Sequence, residues 1–230
     1  MFNRYAIYFT PPPGDLAQRG AAWLGWDVQT GQAVPHPAFP GVDIAKATKT
    51  PRKYGFHGTM KAPFFLAEAQ TEQSLAEALE RFCGGQQAFS LEGLKLSQIG
   101  PFLALTPVGD TTQLNTLASD VVRVLDHFRA PIEAEEFNRK NKPSLSDAQR
   151  HYLEEFGYPH VMEFFRFHMT LTGGLTADEA DNLRPVLERQ FGDVIPSPFP
   201  ITALTLCGER PDGYFHQINR FALGKASNSL

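Results

Sequence analysis

The 230-residue sequence predicts an α+β fold, bilobed, with two pseudo-symmetric antiparallel β-sheets and flanking helices around a central cleft. Three observations lead to it. Short runs that alternate apolar and polar residues are bounded by turn residues, as strands are. Between them lie stretches with apolar residues at helical spacing, stopped by glycine. The order strand, helix, strand, tight turn, strand also occurs twice, in residues 52–128 and again in 165–224, so residues 1–230 read as one bilobed domain with two similar units.

Taken in order, Tyr5 to Phe9 reads as a strand ended by Pro11-Pro12-Pro13. Asp15 caps a short helix that reaches Trp23 and Leu24. Gly31 to Pro51 has little periodicity and reads as a long loop, of the kind that often lines a cleft. Lys53 to Lys61 follows as a strand. Thr71 to Cys83 is a helix with Leu75, Leu79 and Phe82 on one face. Phe89 to Ser97 alternates but changes parity at Gly93, which predicts a bulge. A turn at Ile99-Gly100-Pro101 leads to a strand over Phe102 to Thr106, then a strongly periodic helix from Leu114 to Phe128. Ser146 and Gln149 form a capping box for a helix that ends at Gly157. A strand around His168 comes next, then a helix opened by Thr176 and Glu179 and kinked or restarted by Pro185. Phe199 to Cys207 and Tyr214 to Leu223 are the last strands, joined by a turn at Arg210-Pro211-Asp212-Gly213.

Composition narrows the function. A net charge of −4 argues against a binder of long nucleic acid, which needs many basic contacts to phosphate. It leaves room for a small phosphorylated partner held by two or three cations. The first apolar run stops at three prolines and is too short for a signal peptide or membrane span, so no membrane partner and a cytoplasmic location are expected. Cys83 and Cys207 are isolated and read as reduced core residues. No Asp or Glu stands at metal-ligand spacing from the histidines, and no metal or cofactor is expected.

The chemistry lies in two matched stretches, Lys53-Tyr54-Gly55-Phe56-His57-Gly58-Thr59-Met60-Lys61 and Arg166-Phe167-His168-Met169-Thr170-Leu171-Thr172. As strands, each would put an imidazole, a hydroxyl and a cation on one side and apolar anchors on the other. Lys53, His57, Thr59 and Lys61 share one such face; Arg166, His168, Thr170 and Thr172 share the other. A bare His-x-Thr is a weak signal. The flanks and the equivalent position of each copy carry the weight. Facing strands would set two histidines and two hydroxyls around one small anion, with Lys61 and Arg166 as candidates to neutralise it. Tyr54 is a further candidate for substrate binding, although regular alternation sends it to the apolar side. The cluster Arg139, Lys140 and Lys142 reads as a solvated loop. His36, His127, His151, His160 and His216 have no paired context, and His216 is the one expected near a site.

The runs Arg52 to Phe64, Trp23 to Asp27 and Phe165 to Gly173 resemble the 2H phosphoesterase superfamily, which includes the RNA 2′,5′-ligase/cyclic phosphodiesterase group. Within it they look most like a bacterial branch found with phosphonate-degradation operons. Gly58 departs from the Ala expected there. The resemblance implies a catalytic pair at His57 and His168, phosphate contacts from Thr59 and Thr170, and no metal. The expected activity is a metal-independent phosphodiesterase acting on a small cyclic phosphate by paired-histidine acid–base catalysis, with a phosphorylated sugar of phosphonate breakdown as candidate substrate. The alternatives are processing of RNA ends that carry 2′,3′-cyclic phosphates, and a module that binds a phosphoryl ligand without turnover.

Overall fold

The computed structural model describes residues 2–224. In chain order the elements are β1 (Tyr5–Phe9), α1 (Asp15–Leu24), β2 (Trp26–Asp27), β3 (Gln32–Ala33), α2 (Ile44–Ala47), β4 (Gly58–Phe64), α3 (Glu72–Gly84), β5 (Phe89–Leu91), β6 (Gly93–Ile99) and β7 (Phe102–Val108). Then come α4 (Thr112–Val124), α5 (Ala134–Lys140), α6 (Asp147–Phe156), β8 (Met169–Thr170), α7 (Ala177–Phe191), β9 (Phe199–Ile201), β10 (Ala203–Glu209) and β11 (Phe215–Ala222). The class is α+β, as expected. Seven strands form one antiparallel sheet in the order β11-β10-β1-β4-β8-β7-β6.

The two expected sheets are two halves of this one. They meet at β4 and β8, where the ladder consists of the single pair Gly58↔Met169. The pairing also crosses the chain order. β4, from the first half of the sequence, lies beside β1 and the C-terminal strands β10 and β11. β8, from the second half, lies beside β7 and β6. Helices cover the apolar side. Leu75 and Leu79 of α3, Leu117 and Val121 of α4, and Leu183 and Leu187 of α7 are all buried in one continuous core with Ile7, Leu105 and Leu206. Burial of such side chains is the main term holding the sheet to its helices.

Local chemistry fixes the helix ends. Thr71, Ser146 and Thr176 each accept from the N3 backbone N–H of the helix they open, and the side chains of Ser74, Gln149 and Glu179 answer each cap. Each such cap contributes about 1 kcal/mol. Gly157 ends α6 with φ +69°, a conformation glycine enters without steric cost. The indole N–H of Trp23 donates to Leu171 O at 2.8 Å and fastens α1 to the segment after β8.

Several elements differ from the sequence expectation. Pro185 lies inside α7 without ending it. The parity change at Gly93 is a change of sheet rather than a bulge: β5 pairs with β9 in a small separate sheet, and β6 pairs with β7. The long loop is pinned. Asp43 caps the short α2 within it, and Arg52 donates to Leu24 O, Ala45 O and the ring nitrogen of His36. Both His-x-Thr strands are shorter than expected. Arg52–Tyr54 is a 3-10 turn and β4 starts only at Gly58, while β8 holds just Met169 and Thr170. No helix among the described residues is long and apolar enough to cross a membrane.

Candidate active site

Each histidine occupies the residue just before a strand. Gly55 turns the chain into β4 at φ +73° and ψ −179°, which glycine alone adopts without strain. Its carbonyl then accepts the Nδ1–H of His57 at 2.9 Å. The second site repeats this: Arg166 O lies 2.7 Å from His168 Nδ1 and accepts its proton. In both imidazoles the backbone bond therefore takes Nδ1 and leaves Nε2 for chemistry. Nε2 of His57 is 3.1 Å from the Thr59 hydroxyl.

The join between the half-sheets brings the two motifs together. Gly58↔Met169 is an antiparallel pair, and its register sets His57 across from Thr170 and Thr59 across from His168. Residues directly opposite share a face. Two imidazoles and two hydroxyls thus stand diagonally on one surface, close enough for the charge of His168 to disfavour that of His57. Gly58 keeps the join tight. A Cβ there would come within 2.3 Å of the Phe167 ring. The Ala expected at this position has no room while Phe167 stays in place.

His57 is held on several sides. The ring of Tyr8 stacks on it at 3.8 Å between centroids, and Tyr54 lies at 6.2 Å. Burial pushes the His57 pKa down to about 4; the Gly55 hydrogen bond opposes this, and repulsion from His168 adds to it. The imidazole is neutral at pH 7, and its Nε2 lone pair faces the Thr59 hydroxyl.

A cavity of about 280 Å³ opens beside the pair, lined among others by Thr59, Ala62, Tyr158, His160, Arg166 and His168. Arg166 is exposed, and its guanidinium donates from one nitrogen to Glu163 O and Phe165 O, both at 2.7 Å. Tyr54 packs its ring on Phe215 at 5.3 Å within a small apolar cluster, so it serves as a wall beside His57.

Lys61 is not brought to this cleft. β4 is irregular against β1: Tyr8 pairs with Thr59 and Ile7 with Lys61, so Met60 is the extra residue of a bulge. Alternation breaks there, and the buried Lys61 side chain turns toward α4. Its Nζ lies 2.9 Å from Asp126 Oδ1, and Arg129 holds the other carboxylate oxygen at 2.8 Å. Burial lowers the Lys61 pKa, with Asp126 opposing. Burial pushes the Asp126 carboxyl up, but Arg129 and Lys61 together hold it below its usual range. Thr172 also leaves the surface; it is buried and accepts from Leu103 N at 2.9 Å. In the basic cluster, Lys140 pairs with Glu136 at 2.8 Å and donates to Gly157 O.

His160 and Tyr8 were not singled out by the sequence. His160 reaches the cleft from the loop after α6, and burial and the charge of His168 both lower its pKa. Tyr8 comes beside His57 only through the pairing of β1 with β4, and His160 reaches the cleft through the course of its loop, so local pattern carries no trace of either. His216, the histidine expected near a site, lies on β11 with its ring 6.4 Å from Phe2. Among the described residues no group of three His, Cys, Asp or Glu side chains could hold a metal ion.

In fold, the chain is similar to solved structures of E. coli LigT. E. coli LigT complexed with 3′-AMP matches 96% of this chain and 98% of its own at 17% identity and TM-score 0.44; LigT complexed with NADP+ matches 97% and 99% at 15% identity and TM-score 0.46. Residues 59–216 match the family described as "Protein of unknown function (DUF1045)", and the chain belongs to that family. Two curated relatives carry the name ribose 1,5-bisphosphate phosphokinase PhnN. The one from Janthinobacterium sp. (strain Marseille) is 35% identical over 219 residues, covering 92% of this chain and 48% of that protein. The one from Laribacter hongkongensis (strain HLHK9) is 34% identical over 181 residues, covering 77% and 41%. The chain thus spans about half the length of the curated relatives it matches, or less.

Proposed function

We propose that this protein is a metal-independent phosphodiesterase that opens a small cyclic phosphate on a phosphorylated sugar. The observation that carries this reading is the diagonal pair of His-Thr units on one face of β4 and β8, with Nδ1 of each imidazole bonded to backbone.

The lowered pKa of His57 suits it to the basic role. Its Nε2 takes a proton from water as the water oxygen bonds to phosphorus. The P–O bond to one sugar oxygen breaks on the opposite side, and that oxygen takes a proton from Nε2 of His168. The product is a phosphate monoester. Thr59 and Thr170 donate to the non-bridging oxygens as charge builds on them. Arg166, at the rim of the cavity, supplies a cation on the His168 side. Lys61 acts instead as a structural cation under α4.

The name of the relatives supports the sugar. Opening a cyclic phosphate that joins O1 to a neighbouring hydroxyl of ribose 5-phosphate gives ribose 1,5-bisphosphate, the molecule in that name. The kinase itself belongs to proteins about twice as long. This chain has no Gly-x4-Gly-Lys-Ser/Thr phosphate loop in its 230 residues.

Steady-state turnover of a cyclic-phosphate panel, with and without chelator, tests the proposal. The panel is ribose 1,2-cyclic phosphate with and without a 5-phosphate, and nucleoside 2′,3′-cyclic phosphates. Hydrolysis of the sugar phosphates, unaffected by chelator, is expected. Preference for the nucleotides would move the protein to RNA ends, and tight binding without turnover would make it a binding module.

A further inference from the structure

Four buried side-chain polar atoms lack a hydrogen-bond partner among the described residues: Tyr8 Oη, Gln217 Oε1, and Nε and Nη2 of Arg220. They are not scattered. Register links them to the candidate active site. Tyr8 pairs with Thr59 on one side and with Thr205 on the other, and Thr205 pairs with Arg220. Thr59, Tyr8, Thr205 and Arg220 therefore form one row across four strands, on the face where Tyr8 stacks on His57. Gln217 pairs with Cys207, which packs in the same cluster as Tyr8.

Arg220 is the anomaly in this row. A guanidinium keeps its charge at neutral pH. Burial alone acts on this one, lowering its pKa with no acid to offset it. An unpaired buried cation is costly, and folds rarely keep one without an anion to meet it. The neighbours suit an anion. Thr10 and Thr205 are fully buried and share one hydrogen bond at 2.7 Å, so one of the two hydroxyl protons is left to donate. The β2–β3 hairpin covers this end of the face. Val28 O accepts from Gln217 N at 2.7 Å, and Gln29 donates to Pro11 O, next to Thr10, at 3.1 Å. Nε and Nη2 of Arg220 are buried, while the residue as a whole is only half-buried, so part of its side chain reaches solvent.

We infer that Arg220, with the Thr10–Thr205 hydroxyl pair, is a second anion-binding subsite that takes a phosphate monoester carried by the same substrate. The inference rests on the cyclic-phosphate reading of the His57–His168 centre and narrows its substrate to molecules with two anionic groups. Thr59 and Arg220 lie three strand spacings apart, about 14 Å at the Cα atoms. The long Arg220 side chain shortens that span toward the dimensions of a sugar phosphorylated at both ends.

Calorimetric titration tests the subsite directly. Ribose 1,5-bisphosphate and ribose 1-phosphate are titrated into the wild-type protein, Arg220→Met and Arg220→Lys. The bisphosphate is expected to bind Arg220→Met at least about 30-fold more weakly than wild type, with ribose 1-phosphate little changed. Arg220→Lys should recover part of the loss. Removing an unpaired buried charge should also leave the thermal midpoint of the ligand-free protein at or above wild type. Equal losses for both ligands, or none for either, would overturn the subsite, as would a fall in thermal midpoint with binding intact. Binding requires no turnover, so the result stands even if no cyclic phosphate is hydrolysed.

Discussion

His57 and Lys61 are four residues apart on the same segment and have opposite fates. His57 is pressed under Tyr8, and its pKa falls to about 4 from the ordinary 6.5. If it is the base, kcat/KM should hold down to about pH 4 and fall tenfold per pH unit below that; a limb near 6.5 would remove it from that role. The same shift has a stability consequence. The folded state favours neutral His57, so this contribution is complete above pH 6.5 and is lost as pH falls from there to about 4. The wild-type thermal midpoint should drop across that window more than that of His57→Asn. Lys61 predicts the reverse pattern. Lys61→Met leaves the Asp126 carboxylate with Arg129 alone and should cost about 2–3 kcal/mol of stability, with the rate per folded molecule unchanged. Denaturant titration beside active-site-normalised kinetics checks both halves. The two His-x-Thr pairs were legible because alternation within a strand is a local property. Lys61 was misread for the same reason: the bulge at Met60 is set by the partner strand β1, and the sequence around it alternates smoothly.

At the scale of elements, the segments legible in the sequence were those whose ends carry their own chemistry. The capping boxes at Ser146 and Thr176 and the stop at Gly157 fix their helices locally. The chain changes sheet at Gly93 for a reason that lies far along the sequence, where β9 pairs with β5 and Ser197 donates to Glu92 O. β8 is a strand of two residues because Leu171 N and Thr172 N both turn to Leu103 O. The β4–β8 join depends on Gly58 facing Phe167. Gly58→Ala should therefore cost about 1–3 kcal/mol, and Gly58→Ala with Phe167→Leu should recover part of that. Additive losses in equilibrium unfolding would mean that the two positions do not share that space.

For the whole molecule, the crossing of chain order matters most. β8 lies beside β7 and β6 from the first half of the sequence, and β4 and β1 lie beside β10 and β11 from the second, so neither half of the chain holds a complete half-sheet. Pattern repetition predicted two similar units and a central cleft. It carried no information about which strands flank which, since that is decided by long-range pairing. The Arg220 row, across four strands from three parts of the chain, was beyond local pattern for the same reason. Under the proposed function, catalysis is a joint property of both halves, with two imidazoles serving one phosphorus. Single-turnover rates of wild type, His57→Ala, His168→Ala and the double variant test this most directly. Each single variant should lose roughly 10²- to 10⁴-fold, and the double variant should fall little further, as residues acting as one unit do. Full activity in either single variant, or losses that simply multiply in the double, would contradict it.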